Sequence, residues 1–135
     1  MVFDRNGNDA ADFLFLPVND ASATDPDCRG THWSLLLVDR RERARPVAYH
    51  YDSMATTNSA IAEQLAVRLG AHLQPARIPR QQNCFDCGIF VLAGTWELVG
   101  RLAQGERPEY EPLHLDNLVA DRQALQDRLR GPPLI

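Results

Sequence analysis

HWSLLLVDRRERARPVAYHYDS, residues 32–53, is the stretch on which the fold turns. Residues 33–39 make an apolar run of strand length, and residues 47–52 a second run with aromatic and β-branched character. The charged segment between them, residues 40–45 (RRERAR), suits a solvated hairpin turn, so the two strands run antiparallel. Antiparallel pairing sets the beginning of the first strand beside the end of the second. His32 and Asp52, twenty positions apart, then meet across the hairpin as an imidazole and a carboxylate, the geometry of a base and its orienter. Each has an ordinary explanation on its own: a histidine hydrogen-bonded at a sheet end, and an aspartate starting a turn.

Working outward, residues 13–18 (FLFLPV) read as a third neighbouring strand that ends near Pro17, followed by a polar loop over residues 19–30. Downstream, Asn58 is placed to cap a helix through Leu69, with Ile61, Leu65 and Leu69 on its inner face and Gly70 at its stop. A short extended piece over residues 73–78 leads to Pro79 and a polar stretch. Residues 87–102 (CGIFVLAGTWELVGRL) then read as a buried helix, because sixteen residues exceed an ordinary strand. After a loop over residues 105–112, Asp116 is expected to open a last helix with Leu118, Val119, Leu125 and Leu129 inward, stopped by Gly131 and Pro132. The expectation is a single α+β domain over residues 1–135, with a short, mainly antiparallel central sheet flanked by helices.

Composition narrows the function classes. The chain has 135 residues, 44% of them hydrophobic, which suits one compact domain. Its formal charge is −4, so no overall cationic field draws it to nucleic acid or anionic lipid. No apolar stretch approaches the ~20 residues of a membrane span, and residues 1–10 lack the layout of a secretory signal. Three cysteines, Cys28, Cys84 and Cys87, are too few for a disulfide framework and point to a reducing, intracellular compartment. All fourteen basic residues are Arg, which fits a GC-rich coding sequence.

The second chemical signal is residues 81–88, QQNCFDCG, where a polar loop delivers Cys87 to the front of the apolar helix. A helix N-terminus favours negative charge, and a nearby imidazole favours the thiolate further. Gly88 lets a substrate backbone approach closely, and the Gln81 side-chain amide can join the Cys87 N–H as an oxyanion hole. A lone cysteine is usually a small buried hydrophobe. Cys84 and Cys87 have a Cys-x-x-Cys spacing, but the sequence offers no second ligand pair for structural zinc, and no metal or other cofactor is expected. His50, His72 and His114 receive no role.

The ordered set Phe15-Leu16-Pro17-Val18-Asn19, His32-Trp33, Tyr51-Asp52-Ser53, Gln81-Gln82-Asn83 and Asp86-Cys87-Gly88 resembles the ubiquitin-like protein proteases, cysteine peptidases that process or deconjugate SUMO and NEDD8. The resemblance implies a papain-like core similar to the adenovirus endopeptidase. It assigns the general base to His32, the orienting carboxylate to Asp52, the nucleophile to Cys87 and the oxyanion donor to Gln81. Trp33 would line a narrow tunnel over the Gly-Gly tail of the modifier, with Asn83, Asp86 and Gly88 also on the substrate-binding side. The implied partner is SUMO, NEDD8 or ubiquitin and its conjugates, bound by a monomer without nucleic acid or membrane.

Members similar to this chain in composition are bacterial and often delivered into host cells. Two departures stand out. The loop between Val18 and His32 is longer than the resemblance leads one to expect, and only twelve residues precede Phe13 where the family carries a helical segment, so the chain is expected to correspond to the C-terminal part of the family domain. Trp96, the other tryptophan, is expected in the core. The rival readings are a truncated, non-catalytic modifier-binding module, which is the runner-up, and a related acetyltransferase using acetyl-CoA.

Overall fold

Leu35, Leu36, Leu37 and Val38 are each at most 1% exposed, so the strand that carries them is covered on both faces. In the computed structural model, which describes residues 11–20, 32–83 and 85–131, it is the second strand of a four-stranded sheet. The elements are β1 (Phe13–Asp20), β2 (His32–Asp39), β3 (Val47–Tyr51), α1 (Ser59–Arg68), β4 (His72–Ala76), α2 (Cys87–Ala103) and α3 (Arg122–Arg130). Their order across the sheet is β1-β2-β3-β4. β1, β2 and β3 pair antiparallel, and α1 carries the chain over to β4, which lies parallel to β3. The α+β expectation holds, with a parallel fourth strand added to the three read from the sequence.

The period of two along each strand divides the core into two layers. Leu35, Leu37, Tyr49 and Tyr51 point to one face, where Val91 and Leu98 of α2 cover them together with Leu113 and Leu115. Val18, Leu36, Val38 and Ala48 point to the other face, under Ala62 and Ala66 of α1. A chain buried on both sides of its sheet reads as a continuous apolar run, which is why residues 35–38 show no alternation in sequence. β1 continues through Pro17 to Asp20 instead of stopping at the proline. It is an edge strand, where a residue without an N–H is tolerated.

Several helix assignments need correction. Asn58 occupies the N-cap position of α1 but makes no side-chain cap. The helix buries Ala62 and Ala66, while Ile61 and Leu65 flank the contact and Leu69 is 38% exposed. Small side chains let α1 lie close on the sheet, which the larger ones would prevent. α3 begins at Arg122, because Asp121 accepts from the N–H groups of Gln123 and Ala124. Asp116 instead pairs with Arg77 at 2.9 Å. Leu125 is the buried residue of α3, whereas Val119 and Leu129 are 78% and 71% exposed. Trp96 is not core either: it is 54% exposed, with the Arg128 guanidinium 5.3 Å from its ring.

The turn at residues 40–45 is more than solvated charge. Arg41 forks onto Asp39 and reaches the Pro108 carbonyl at 2.7 Å, tying the hairpin to the loop after α2. No described helix is long and apolar enough to cross a membrane.

Gly94 sets how closely α2 lies on the sheet, since a Cβ there would come within 3.2 Å of Leu115 and 3.7 Å of Leu35. Gly100, in the same helix, would place a Cβ in open space. Gly94→Val should therefore cost about 1–3 kcal/mol through overpacking, and Gly100→Ala should add about 0.5–1 kcal/mol through helix propensity. Urea unfolding of the two variants beside the parent checks both signs.

Candidate active site

The register of the hairpin builds the first half of the site. Leu35 lies opposite Tyr51, so Asp52, one residue past β3, comes level with Ser34 and diagonal to His32 at the start of β2. His32 Nε2 and Asp52 Oδ1 are 2.6 Å apart, with side chains 7% and 2% exposed. Two further donors hold the carboxylate: the Met54 N–H reaches Oδ1 at 2.8 Å and the Asn58 N–H reaches Oδ2 at 2.9 Å. Burial pushes the Asp52 carboxyl up, but the hydrogen bonds from His32, Asn58 and Met54 together outweigh it and hold the group below its ordinary value. The carboxylate therefore stays ionised and requires a proton on His32 Nε2. Nδ1 is left as the nitrogen that can accept a proton.

Asn58 is the residue whose task sequence reasoning missed. It is fully buried. Its Nδ2 donates to the carbonyls of His32 at 3.0 Å and Val18 at 3.3 Å and to Ser34 Oγ at 3.2 Å. One residue thus grips the backbone of His32 through its side chain and the carboxylate of Asp52 through its N–H. The available signal was position: a polar residue in the turn between β3 and α1, where the chain passes back under the sheet end. Behind it, Ser34 Oγ accepts from Asn58 and so directs its own proton to His50 Nε2 at 2.8 Å. Burial pushes His50 down, which keeps this second imidazole neutral beneath the first. His50, given no chemical role from the sequence, is a buried histidine with a hydrogen-bond partner.

The second half of the site is the loop before α2. The Gln81 N–H donates to the Ser53 carbonyl at 3.0 Å, fastening the loop to the corner that carries Asp52. The Ser53 hydroxyl donates to Gln81 Oε1 at 2.5 Å, and Gln81 Nε2 donates to the Asn83 carbonyl at 2.6 Å. Asn83 Oδ1 accepts the N–H groups of Phe85 and Asp86, an Asx-type turn, while its Nδ2 donates to Asp86 Oδ2. Arg122, at the start of α3, donates to Asp86 Oδ1 at 2.9 Å. Hydrogen bonds from Asn83 and then Arg122 hold the Asp86 carboxyl below its ordinary value. The side chains of Asn83 and Asp86 are thus engaged by other groups of the protein at its surface, where they shape the loop.

Cys87 is the first residue of α2 and is 6% exposed. First-turn N–H groups have no intrahelical partner, so this position offers both a thiol and donors for an anion. Gly88 follows, with open space where a Cβ would stand. Trp33 is 40% exposed on the strand that begins at His32, and Phe85, which the sequence reading passed over, is 80% exposed two residues before Cys87. Cys28 and Cys84 lie outside the described residues. Among the described residues no group of three or more His, Cys, Asp or Glu side chains is placed to hold a metal ion. These parts suit acyl transfer through a thiol: an imidazole fixed by a buried carboxylate, a cysteine at a helix N-terminus, and an amide fastened to the corner that carries the carboxylate.

Comparison with known proteins gives the same direction. The model of the Ulp1 protease family C-terminal catalytic domain matches residues 3–105. The chain is 36% identical to rat Sentrin-specific protease 8 over 111 residues, covering 76% of this chain and 48% of that protein. It is 32% identical to NEDD8-specific protease 2 of Schizosaccharomyces pombe over 125 residues, covering 88% of this chain and 29% of that protein. The chain therefore spans about half or less of the length of these relatives. Among solved structures, the Xanthomonas campestris effector protein XopD bound to ubiquitin superposes with a TM-score of 0.76 at 33% identity, covering 93% of this chain and 63% of that one.

The depressed Asp52 carboxyl fixes a sign for acid stability. Its pKa is lowered from 3.8 on folding, so the stabilisation is complete above that value and is lost as pH falls through the depressed range. Asp52→Asn should flatten the fall in unfolding free energy below about pH 4. Denaturant titrations at pH 3 and pH 6 on both proteins measure the difference in slope.

Proposed function

The chain belongs to the Ulp1 protease family, and on that premise we propose that it is a cysteine peptidase that cleaves after the C-terminal glycine of a ubiquitin-like modifier, freeing it from lysine. The observation that carries the reading is the 2.6 Å pairing of His32 with the buried Asp52, in a chain whose Cys87 opens α2. His32 Nδ1 takes the proton of the Cys87 thiol, and the thiolate attacks the carbonyl carbon of the terminal glycine. The oxyanion is held by a Gln81 Nε2 hydrogen and the Cys87 N–H. The intermediate collapses to a thioester as His32 returns its proton to the departing lysine amine. Water, deprotonated by His32, then releases the modifier and restores the thiol. Asp52 remains ionised throughout and stabilises the imidazolium.

Trp33 and Gly88 serve the substrate tail directly in this proposal, and Asn83 and Asp86 serve it by shaping the loop. The related proteases named for NEDD8 and the XopD complex with ubiquitin support a modifier of this class, with SUMO the third candidate. Likeness to a bacterial effector protein also supports action inside a host cell, in a reducing compartment, and the chain is proposed to act as a monomer. Neither nucleic acid nor a membrane has a part in this reading.

Intact-mass spectrometry after incubation with NEDD8, SUMO and ubiquitin bearing thiol-reactive C-termini tests the reading. One adduct per chain is expected from at least one probe, absent from Cys87→Ala. Gln81→Ala should lower turnover of the matching modifier–lysine conjugate by about 10²–10³. No adduct from any probe on folded protein would overturn the reading in favour of a non-catalytic binding module.

A further inference from the structure

Gln81 has an amide whose two ends are nearly the same shape and opposite in function. Turned one way it offers N–H donors, and turned the other way it offers a carbonyl oxygen that would repel an oxyanion. Two contacts decide the matter here. The Asn83 carbonyl can only accept, so the end that faces it at 2.6 Å must be Nε2. The opposite end, Oε1, takes the Ser53 hydroxyl proton at 2.5 Å.

We propose that Ser53 is a positioning residue of the oxyanion hole, anchoring and polarising the Gln81 amide so that its remaining N–H is aimed and strengthened as a donor. This rests on the peptidase reading above. The Ser53 hydroxyl is buried, so water does not compete freely for the contact, as it would at the surface. A hydrogen bond donated to an amide oxygen draws charge from the nitrogen and makes its hydrogens better donors, the cooperative strengthening expected of linked hydrogen bonds.

The placement also joins two functions in one corner. Asp52 orients the base and Ser53 orients the donor, and the Met54 N–H on Asp52 Oδ1 stiffens the turn between them and α1. Because Gln81 is also tethered by its own N–H to the Ser53 carbonyl at 3.0 Å, removing the hydroxyl leaves the loop attached. Ser53→Ala therefore isolates the side-chain contact.

The test is a double-mutant cycle on the full chain with the modifier conjugate it cleaves. Ser53→Ala should lower kcat about 3- to 10-fold, the worth of one hydrogen bond, with KM within about twofold. Ser53→Thr, which keeps the hydroxyl, should restore most of that loss. In a Gln81→Ala background the same Ser53→Ala change should cost less than about twofold, because its target is gone. Equal losses in the two backgrounds, or no loss in either, would overturn the inference.

A readout without turnover separates this outcome from failure of the peptidase reading. The side-chain NH2 resonances of Gln81, assigned by their absence in Gln81→Glu, should be dispersed and rigid in the parent and should shift and become more mobile in Ser53→Ala, where the Asn83 carbonyl alone still holds the amide. Unchanged Gln81 resonances would refute the anchor even in an inactive protein. A shifted, more mobile signal beside an unlabelled Cys87 would uphold the anchor while removing the proposed activity.

Discussion

A carboxylate taken out of water must be matched by donors or it will not stay charged, and Asp52 sets this requirement at the centre of the molecule. Its side chain is 2% exposed and meets three donors: one imidazole N–H and two backbone N–H groups from the turn that follows. The turn cannot rearrange without unpairing the carboxylate, and the imidazole cannot rotate without doing the same. The residues around Asp52 are therefore held by a desolvation penalty as well as by attraction. The strands, the start of α1 and the loop before α2 all converge on the chain segment that this penalty fixes.

The sheet contributes position. Because both faces of β2 are covered, its register against β3 cannot slip by one residue without exposing Leu35 and Leu37 or burying them on the wrong layer. That same register makes His32 and Asp52 neighbours. Packing energy distributed over many apolar side chains thus fixes a contact between two polar ones to within hydrogen-bond tolerance. On the other side of the site, Gly94 lets α2 lie close to Leu35 and Leu115, and Cys87 is the first residue of that helix. Trp33, near the start of β2, and Phe85, two residues before Cys87, take no part in this packing and are exposed.

What was legible in the sequence follows from how local each signal is. The hairpin, the helix at Cys87 and the pairing of His32 with Asp52 depend on contiguous runs and one short turn, and they read directly. The β4 strand reads only as an extended piece, because its partner lies across the α1 crossover. The start of α3 was misplaced because Asp116 and Asp121 are equally good caps by composition. A distant partner, Arg77, engages Asp116 and leaves the cap to Asp121. Trp96 was misread because an aromatic in an apolar helix usually packs inward. Here Arg128 covers its outer face while small and branched neighbours fill the core.

Asn58 shows why such a residue resists prediction and still matters. It looks like a cap, occupies the cap position and does not cap. Its Nδ2 is instead shared among three buried acceptors, the carbonyls of Val18 and His32 and the Ser34 hydroxyl oxygen. An alanine there would remove the side-chain grip on the His32 backbone and on Ser34 and leave buried acceptors without their donor, at about 1–3 kcal/mol for a group left unpaired. Composition marks Asn58 as a cap, but the acceptors that converge on it from two strands give its amide a different task, holding the start of β2 and the end of β1 against the chain that enters α1.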